Sequence, residues 1–254
     1  MLSCRRRYNQ VSAEGIRQGN GLQDRILSRI ISPGIFRRSK IKAFFTTKKS
    51  ASAGRTISAL TDIPENRIYK PVQKHTDNVI VVGYDMKPRV ADAVLTRRKG
   101  ILVGVSVADC VPVLVYDPVR MVCGSVHAGW RGTAKGILKN TLDVMTGEFF
   151  SNPSDIIMAI GPAIRWCCYS VGIEVLESVM SSTGDGDYHT KSGNRICLDL
   201  SSANRQQALS MGVDESKIWM SDECTYCYPE RYYSYRYSRG SMGRQGGFIG
   251  MFTD

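Results

Sequence analysis

Several features that mark whole classes of protein are missing from this sequence. Its 254 residues contain no apolar run of about 18 or more, so no membrane-spanning helix is predicted. Arg5–Arg7 are not followed by an apolar segment, which argues against a secretory signal. The eight cysteines do not form the dense pattern of a small secreted disulfide scaffold. We therefore expect an intracellular, cytoplasmic protein with reduced cysteines.

Acidic residues are scarce at the N-terminal end of the chain. Residues 1–55 hold 13 of the 34 Lys and Arg residues but only Glu14 and Asp24, whereas the remaining residues hold 21 basic and 21 acidic groups. The net charge of +11 therefore belongs to this end. Aromatic residues that stack on bases do not alternate with these charges, so a nucleic-acid partner is not expected. We predict a basic N-terminal extension, residues 1–34, and a folded domain, residues 35–254.

Strand and helix patterns alternate along the rest of the chain. No repeat or linker divides it, so we predict a single domain of the α+β or mixed-sheet α/β class. Residues 51–61 are small and polar, and we expect a loop there. Strand patterns occur at 79–83, 91–96, 101–107, 111–116, 121–126, 156–160, 218–220 and 248–251, and helical patterns at 132–147, 171–180 and 201–211.

Two of the predicted strands form a hairpin that brings a cysteine next to a histidine. Asp117-Pro118-Val119-Arg120 has the composition of a turn, and a turn at these residues pairs Tyr116 with Met121 and Cys110 with His127. Side chains opposed in an antiparallel ladder have Cβ atoms about 4.5–5.5 Å apart. A thiolate and an imidazole at that distance can bind one zinc ion, with Zn–S bonds of about 2.3 Å and Zn–N bonds of about 2.0–2.1 Å.

Spacing alone leaves open a simpler explanation, a buried cysteine beside a hydrogen-bonded histidine. The chain has only three histidines. His75 is available as a third ligand, whereas His189 lies in a Gly-, Asp- and Ser-rich stretch typical of a surface loop. His75, Cys110 and His127 are therefore our candidates for the catalytic and metal-binding residues of one site. Three protein ligands, with a fourth tetrahedral position left for water or substrate, are the pattern of catalytic zinc.

A series of motifs in fixed order resembles the YfiH family of laccase-domain proteins. The resemblance covers about residues 40–252, and the separation of its two central motifs is close to diagnostic. The motifs are Ala108-Asp109-Cys110-Val111-Pro112, His127-Ala128-Gly129-Trp130-Arg131-Gly132, Ile160-Gly161-Pro162 with Cys167-Cys168-Tyr169, Cys224-Thr225, and Ser234-Tyr235-Arg236 with Gly243-Arg244.

The resemblance implies a fold, a metal and an activity. It implies a single-domain αββα sandwich with mixed β-sheets, and a YfiH-like catalytic domain at residues 35–254. Family members are purine nucleoside phosphorylases that bind zinc, use inorganic phosphate, and act on adenosine, inosine, guanosine and methylthioadenosine; they also deaminate adenosine. Matched motif to motif, the zinc ligands fall on His75, Cys110 and His127. The partner implied is a small-molecule nucleoside, and a monomer is favoured although the oligomeric state is not readable.

Two departures from the family pattern bear on the substrate. The usual Gln-Val-His-Gly reads Gln73-Lys74-His75-Thr76, and the usual Thr-Thr-Arg-x-Gly-Gly reads Thr46-Thr47-Lys48-Lys49-Ser50-Ala51. The histidine is retained, but the N-terminal part that contacts substrate in the family differs. The preferred nucleoside is therefore left open.

Three arginines are candidates for binding substrate or phosphate. Arg131 follows His127 near the start of a helix predicted from Gly132, and a helix N-terminus favours an anion. The alternative for Arg131 is a structural role at the strand-to-helix turn. Arg236 and Arg244 lie in a segment rich in Tyr, Arg and Gly, which either closes over a purine or phosphate or forms a solvated tail with cation–π contacts.

Other function classes remain as alternatives. A multicopper centre needs many histidines, so three exclude it, but a copper-dependent polyphenol oxidoreductase with a single ion is the alternative that the older family naming suggests. A Cys-His hydrolase with Cys110 as nucleophile and His127 as base is another. Cys224 and Cys227 form a Cys-x-x-Cys motif, but with no second such pair and no nearby histidine a structural zinc site is not predicted there.

Overall fold

In the computed structural model, which describes residues 29–36, 40–240 and 243–252, the strands form two large sheets and one small one. The strands are β1 (Ile30–Ile31), β2 (Ile41–Thr46), β3 (Ile68–Tyr69), β4 (Val79–Val81), β5 (Ala93–Thr96), β6 (Leu102–Val107), β7 (Val111–Asp117), β8 (Val122–Ala128), β9 (Ile157–Ile160), β10 (Ser170–Val171), β11 (His189–Ser192), β12 (Arg195–Leu198), β13 (Ile218–Met220) and β14 (Gln245–Met251). The helices are α1 (Gly54–Thr61), α2 (Trp130–Ala134), α3 (Ile137–Phe149), α4 (Ile173–Thr183), α5 (Leu200–Ser210) and α6 (Tyr235–Ser238).

The two large sheets pack face to face, and helices cover their outer faces. The five-stranded sheet has the order β1-β2-β14-β6-β3, and the six-stranded sheet has the order β13-β9-β7-β8-β5-β4. Leu114 of the larger sheet and Val103 of the smaller one belong to the same buried cluster. On the opposite face of β7, Val113 packs with α3 and α5, and Ile57 of α1 packs on the outer face of the five-stranded sheet. The layers are therefore α, β, β and α, and the predicted α+β sandwich with mixed sheets is confirmed.

The β7–β8 hairpin has a different turn from the one that the sequence predicted. Asp117 Oδ1 accepts hydrogen bonds from the backbone N–H groups of Val119 (2.8 Å) and Arg120 (3.0 Å). Met121 takes a left-handed φ of 53°. The four-residue loop is therefore 118–121, and Asp117 pairs with Val122.

The predicted pairing of Cys110 with His127 is consequently wrong. His127 is opposite Pro112, and Cys110 lies in a bend just before β7. The residue opposite His127 is thus two positions later in the chain than predicted. Side chains alternate along a strand with a period of two. The shift therefore keeps Cys110 on the side of the hairpin where His127 lies.

Two helical segments also differ from the prediction. The helix predicted at 132–147 is two helices, α2 and α3, because Gly136 takes a φ of 73° between them. The loop predicted at 51–61 contains α1, which is held by the fully buried side chain of Ile57. Ile57 and Leu60 are the only large apolar residues among residues 51–61, and two such residues are too few to show a helical periodicity in the sequence.

The N-terminal boundary of the fold is described only in part. Ile30 and Ile31 pair with Thr46 and Phe45, so the sheet includes residues within the predicted extension. Residues 1–28 lie outside the described residues, and the division into an extension and a catalytic domain stays a prediction. In the part of the chain that the structure describes, no helix combines the length and apolarity needed to cross a membrane.

Candidate metal centre and cleft

The structure brings His75, Cys110 and His127, here called the ligand triad, into one cluster. One donor atom from each lies within 4.8 Å of the others, and Cys110 Sγ is 3.9 Å from His75 Nε2. The two imidazole rings meet edge to face, with 4.8 Å between their centroids. A tetrahedral ion with bonds of about 2.0–2.3 Å holds neighbouring donors about 3.5 Å apart. The ligand triad therefore fits one small ion after shifts of a few tenths of an ångström to about 1 Å.

Asp92 orients His127, a role that the sequence analysis missed. Its carboxylate lies 2.7 Å from His127 Nδ1 and both side chains are buried. A carboxylate only accepts hydrogen bonds, so Nδ1 carries a proton, and Nε2 is the ring atom that can bind a metal ion once its own proton is released. Asp92 comes directly before β5, and Ala93 pairs with Val126 in β8, which sets the aspartate beside the histidine.

The same carboxylate also anchors the loop that carries His75. The backbone N–H groups of Lys74 (3.2 Å), His75 (3.1 Å) and Thr76 (2.6 Å) donate to Asp92, as does the Thr76 hydroxyl (2.8 Å). These bonds hold His75 at a left-handed φ of 57°. Burial opposes ionisation of Asp92, but the hydrogen bonds from His127 and Thr76 outweigh it and lower its pKa. In the sequence, Asp92 is marked only as a charged residue inside the apolar run 90–95, which does not identify its partners.

Cys110 and His127 shift each other's pKa. Burial raises the pKa of the Cys110 thiol, but the charge and hydrogen bond of His127, together with His75, outweigh it and lower that pKa to about 6. Burial lowers the pKa of His127, but Cys110 and Asp92 outweigh it and raise that pKa to about 9. The sulfur is therefore a thiolate at neutral pH, which is the form that binds metals and attacks electrophiles.

Gly129 leaves the space in which the cysteine and a histidine meet. A Cβ atom at this position would lie 3.0 Å from Cys110 Sγ and 3.0 Å from His75 Cδ2. Its φ of −75° is open to any residue, so the requirement for glycine is steric and not conformational.

We expect Gly129→Ala to weaken binding of a metal ion at the ligand triad by about tenfold or more while the fold is retained, because the added methyl group pushes two ligands apart. Gly147→Ala is the matched control, since a Cβ at that helical position meets nothing within 4 Å. Metal titration with a competing chelator measures both. Equal metal affinities of the ligand triad in the two variants would contradict the steric role of Gly129.

A cleft of about 620 Å³ opens beside the ligand triad, within the range of roughly 300–1,000 Å³ typical of small-molecule sites. The three arginines singled out from the sequence, Arg131, Arg236 and Arg244, line it together with the triad. Arg131 lies over the ring of Trp130, 4.4 Å from its centroid, and Arg236 lies over Tyr169 at 5.2 Å. One cavity thus combines donors for a cation with guanidinium groups for an anion.

The helix after His127 differs from the one expected to attract phosphate. It begins at Trp130, not near Gly132, and has only five residues. So short a helix sums few peptide dipoles, and attraction of an anion to its start is weak. Anion binding in the cleft therefore rests on the guanidinium groups.

Asp109 fixes the segment that carries Arg236. Asp109 Oδ1 accepts from the Thr225 hydroxyl (2.6 Å) and Oδ2 accepts from the backbone N–H of Arg236 (2.7 Å). Burial raises the pKa of Asp109 and outweighs these hydrogen bonds. Tyr232 is fully buried, whereas residues 235–240 are exposed and Arg236 makes a cation–π contact with Tyr169. The segment is therefore anchored at its start and solvated around Arg236, and both interpretations of it stay open.

Comparisons with known proteins show which proteins this chain resembles. The family model described as multi-copper polyphenol oxidoreductase laccase matches residues 47–252. Purine nucleoside phosphorylase YlmD from Geobacillus stearothermophilus is 39% identical over 162 residues, which are 63% of this chain and 59% of that protein. The namesake from Bacillus subtilis is 34% identical and matches over 74% of this chain and 68% of its own.

Solved structures of YlmD and YfiH proteins have the same fold as this chain. The crystal structure of the Geobacillus YlmD has a TM-score of 0.80 and 29% identity, with 87% of this chain and 94% of that chain covered. The structure of YfiH from Bacillus licheniformis has a TM-score of 0.77 and 28% identity, with 84% and 93% covered. The chain spans about three-fifths of the Geobacillus relative in sequence, and by its motifs, its fold and the matched family model it belongs to the YfiH, or laccase-like polyphenol oxidoreductase, family.

Proposed function

We propose that the protein is a zinc-dependent purine nucleoside phosphorylase that cleaves adenosine, inosine, guanosine and methylthioadenosine and also deaminates adenosine. The observation that carries the proposal is that the ligand triad and three arginines line one cleft. The name of the YlmD relatives points the same way. The intracellular, cytoplasmic location expected from the sequence suits substrates of this kind.

Different residues of the cleft would bind the metal ion, the phosphate and the purine during phosphorolysis. His75, Cys110 and His127 would hold the zinc ion, which supplies a Lewis acid beside the reacting groups. The arginines bind phosphate, because a guanidinium group forms paired hydrogen bonds with its oxygens. A phosphate oxygen then attacks the anomeric carbon of the ribose, the bond from this carbon to the purine nitrogen breaks, and the purine leaves after taking up a proton. Tyr235, a residue that is 57% exposed and lines the cleft, offers an apolar face to the base.

Deamination of adenosine is the second reaction that we propose for the cleft. Water replaces the amino group on the purine ring, and ammonia and inosine are the products. This reaction needs no phosphate, so the two activities are separable by omitting it.

One incubation series tests the proposal. Metal-analysed protein is mixed with adenosine, inosine, guanosine or methylthioadenosine, with and without phosphate, and products are separated by chromatography. We expect free purine and ribose 1-phosphate or its methylthio analogue only with phosphate, and inosine from adenosine without it. No nucleoside turnover under any of these conditions would refute the proposed activity.

We expect Arg131→Ala to raise the KM for phosphate by about tenfold or more, and to change the KM for nucleoside much less, because Arg131 is assigned to the anion. Loss of a hydrogen bond to a charged group costs about 1.5–3 kcal/mol, which corresponds to this factor. Arg98→Ala is the matched control, since Arg98 stacks on Tyr84 and does not line the cleft. Equal changes in both KM values for Arg131→Ala would refute the phosphate role.

A Cys-His hydrolase is the second candidate, and one observation favours it. Asp92, His127 and Cys110 stand in the order of a carboxylate, a base and a nucleophilic thiolate. Such a triad gives His75 no task, although Asp92 fixes the backbone of that residue too. Stoichiometric zinc together with phosphate-dependent turnover would exclude the hydrolase, whereas protein without metal that a thiol alkylator inactivates would favour it.

A copper-dependent polyphenol oxidoreductase is the alternative that the family description suggests. The chain has three histidines in all, and His189 lies in β11 and does not line the cleft. Histidine donors for several copper ions are therefore lacking. Oxidation of phenols by copper-loaded protein, with no turnover of nucleosides by zinc-loaded protein, would favour this alternative.

A further inference from the structure

A second cluster of metal-binding side chains lies apart from the ligand triad. The sulfur atoms of Cys167, Cys168, Cys224 and Cys227, here called the thiol cluster, all lie within 4.8 Å of one another. Cys227 Sγ is 3.4 Å from Cys168 Sγ and 3.8 Å from Cys167 Sγ. The fold thus supplies the partner for the Cys-x-x-Cys motif, from a segment some 60 positions earlier in the chain.

These distances match a metal site better than disulfides. Four thiolates around a tetrahedral zinc ion with bonds of about 2.3 Å lie about 3.8 Å apart, whereas bonded sulfur atoms are about 2.05 Å apart. Four sulfur donors complete the coordination of zinc and leave no position for water or substrate. Soft thiolates in a tetrahedral set favour zinc over magnesium, calcium or manganese.

The backbone around the thiol cluster has the hydrogen bonds that a thiolate site needs. The N–H of Arg165 donates to Cys224 Sγ at 3.4 Å, which stabilises negative charge on the sulfur. The N–H groups of Cys227 (3.1 Å) and Tyr228 (3.2 Å) donate to the carbonyl of Cys224, so this motif forms a tight turn with both sulfurs directed to one point.

We propose that Cys167, Cys168, Cys224 and Cys227 bind a second zinc ion in a closed, structural site. The site clamps residues 163–169 to residues 224–236. Those two segments also meet through a β-bridge between Ala163 and Cys224, the hydrogen bond from the Thr225 N–H to the Ala163 carbonyl (3.0 Å), and the contact of Arg236 with the Tyr169 ring.

The clamp supports one wall of the cleft. Tyr169, next to Cys168, lines the cleft and lies beneath Arg236. Thr225, next to Cys224, donates to Asp109, which in turn holds the backbone of Arg236. Zinc in the thiol cluster therefore fixes the positions of the aromatic ring and the guanidinium group without touching substrate.

Metal counting tests the proposal directly. Protein purified under reducing conditions is expected to contain two zinc ions per chain, and Cys227→Ser and Cys168→Ser are expected to contain one. Cys197→Ser is the matched control and should retain two, since Cys197 is a buried cysteine of β12 outside the thiol cluster. Retention of two ions by Cys227→Ser, or one ion per chain in the unaltered protein that Cys227→Ser does not lower, would overturn the proposal.

A second measurement covers the case in which thiol-cluster variants fail to fold. The variant His75→Ala/Cys110→Ala removes two ligands of the triad and leaves the thiol cluster intact. Loaded with cobalt(II), it should bind one ion per chain and show intense sulfur-to-cobalt charge-transfer absorption with the visible bands of tetrahedral cobalt. Failure to bind cobalt, a spectrum without charge transfer from sulfur, or a mass spectrum that shows disulfides among the four cysteines of reduced protein would overturn the proposal. The count and the spectrum do not depend on nucleoside turnover.

Discussion

His75→Ala is expected to lower phosphorolysis by at least about a thousandfold and to remove one zinc ion per chain. Lewis-acid stabilisation by zinc is worth several kcal/mol in the transition state, and each 1.36 kcal/mol corresponds to about a tenfold change in rate. His75 is an exposed loop residue, so its truncation leaves the core intact. Steady-state rates and metal analysis of the same preparation measure both effects.

This variant also separates the two leading functions, because a Cys-His hydrolase uses Cys110 and His127 and would retain most of its activity. His189→Ala is the matched control: it removes the remaining histidine, which lies in β11 and does not line the cleft. Full phosphorolysis by His75→Ala with an unchanged zinc content would rule out the ligand triad as the metal site.

Asp92→Asn is expected to weaken zinc binding at the triad by about 10–100-fold, the usual effect of losing a partner that orients a ligand. The neutral amide cannot accept from His127 Nδ1 and from the backbone of residues 74–76 equally well. Because hydrogen bonds to a charged group contribute about 1.5–3 kcal/mol, the free energy of unfolding should also fall by about 2 kcal/mol. Chelator competition measures the zinc affinity, and denaturant titration measures the free energy of unfolding.

Asp117→Asn is the control for the part of this effect that is only stability. Asp117 is a fully buried aspartate that accepts backbone hydrogen bonds in the β7–β8 turn, at the other end of the hairpin from the ligand triad. We expect it to lower stability and to leave zinc affinity unchanged. If both variants lost stability equally and neither lost zinc affinity, Asp92 would be a structural residue alone.

The hairpin and the triad show how far the sequence could lead. A turn of suitable composition and two apolar strands predicted that Cys110 and His127 would meet, and the structure brings them together. The register was wrong because the Asp117 side chain caps the turn and Met121 adopts a left-handed conformation. A composition does not specify which residues of a short loop take these roles, so a shift of this size is not visible in it.

Asp92 and the thiol cluster show what the sequence could not reveal. Both depend on contacts between segments that no periodicity links. Asp92, directly before β5, joins the loop that carries His75 to His127 near the end of β8. In the thiol cluster, residues 167–168 meet residues 224–227. Pattern arguments apply within one element or between neighbours joined by a turn. Partners separated by dozens of residues become visible only when the sheets fix their positions.

The position of β14 has a consequence for synthesis of the chain. This late strand lies between β2 and β6 in the middle of its sheet, and Gly246 donates to Thr46, 200 positions earlier. Until the ribosome has released that stretch, β2 and β6 have no shared neighbour and the inner faces of the sandwich stay exposed. Contacts between residues so far apart in the sequence slow folding. We therefore expect the nascent chain to depend on chaperones for longer than a helical protein of equal size.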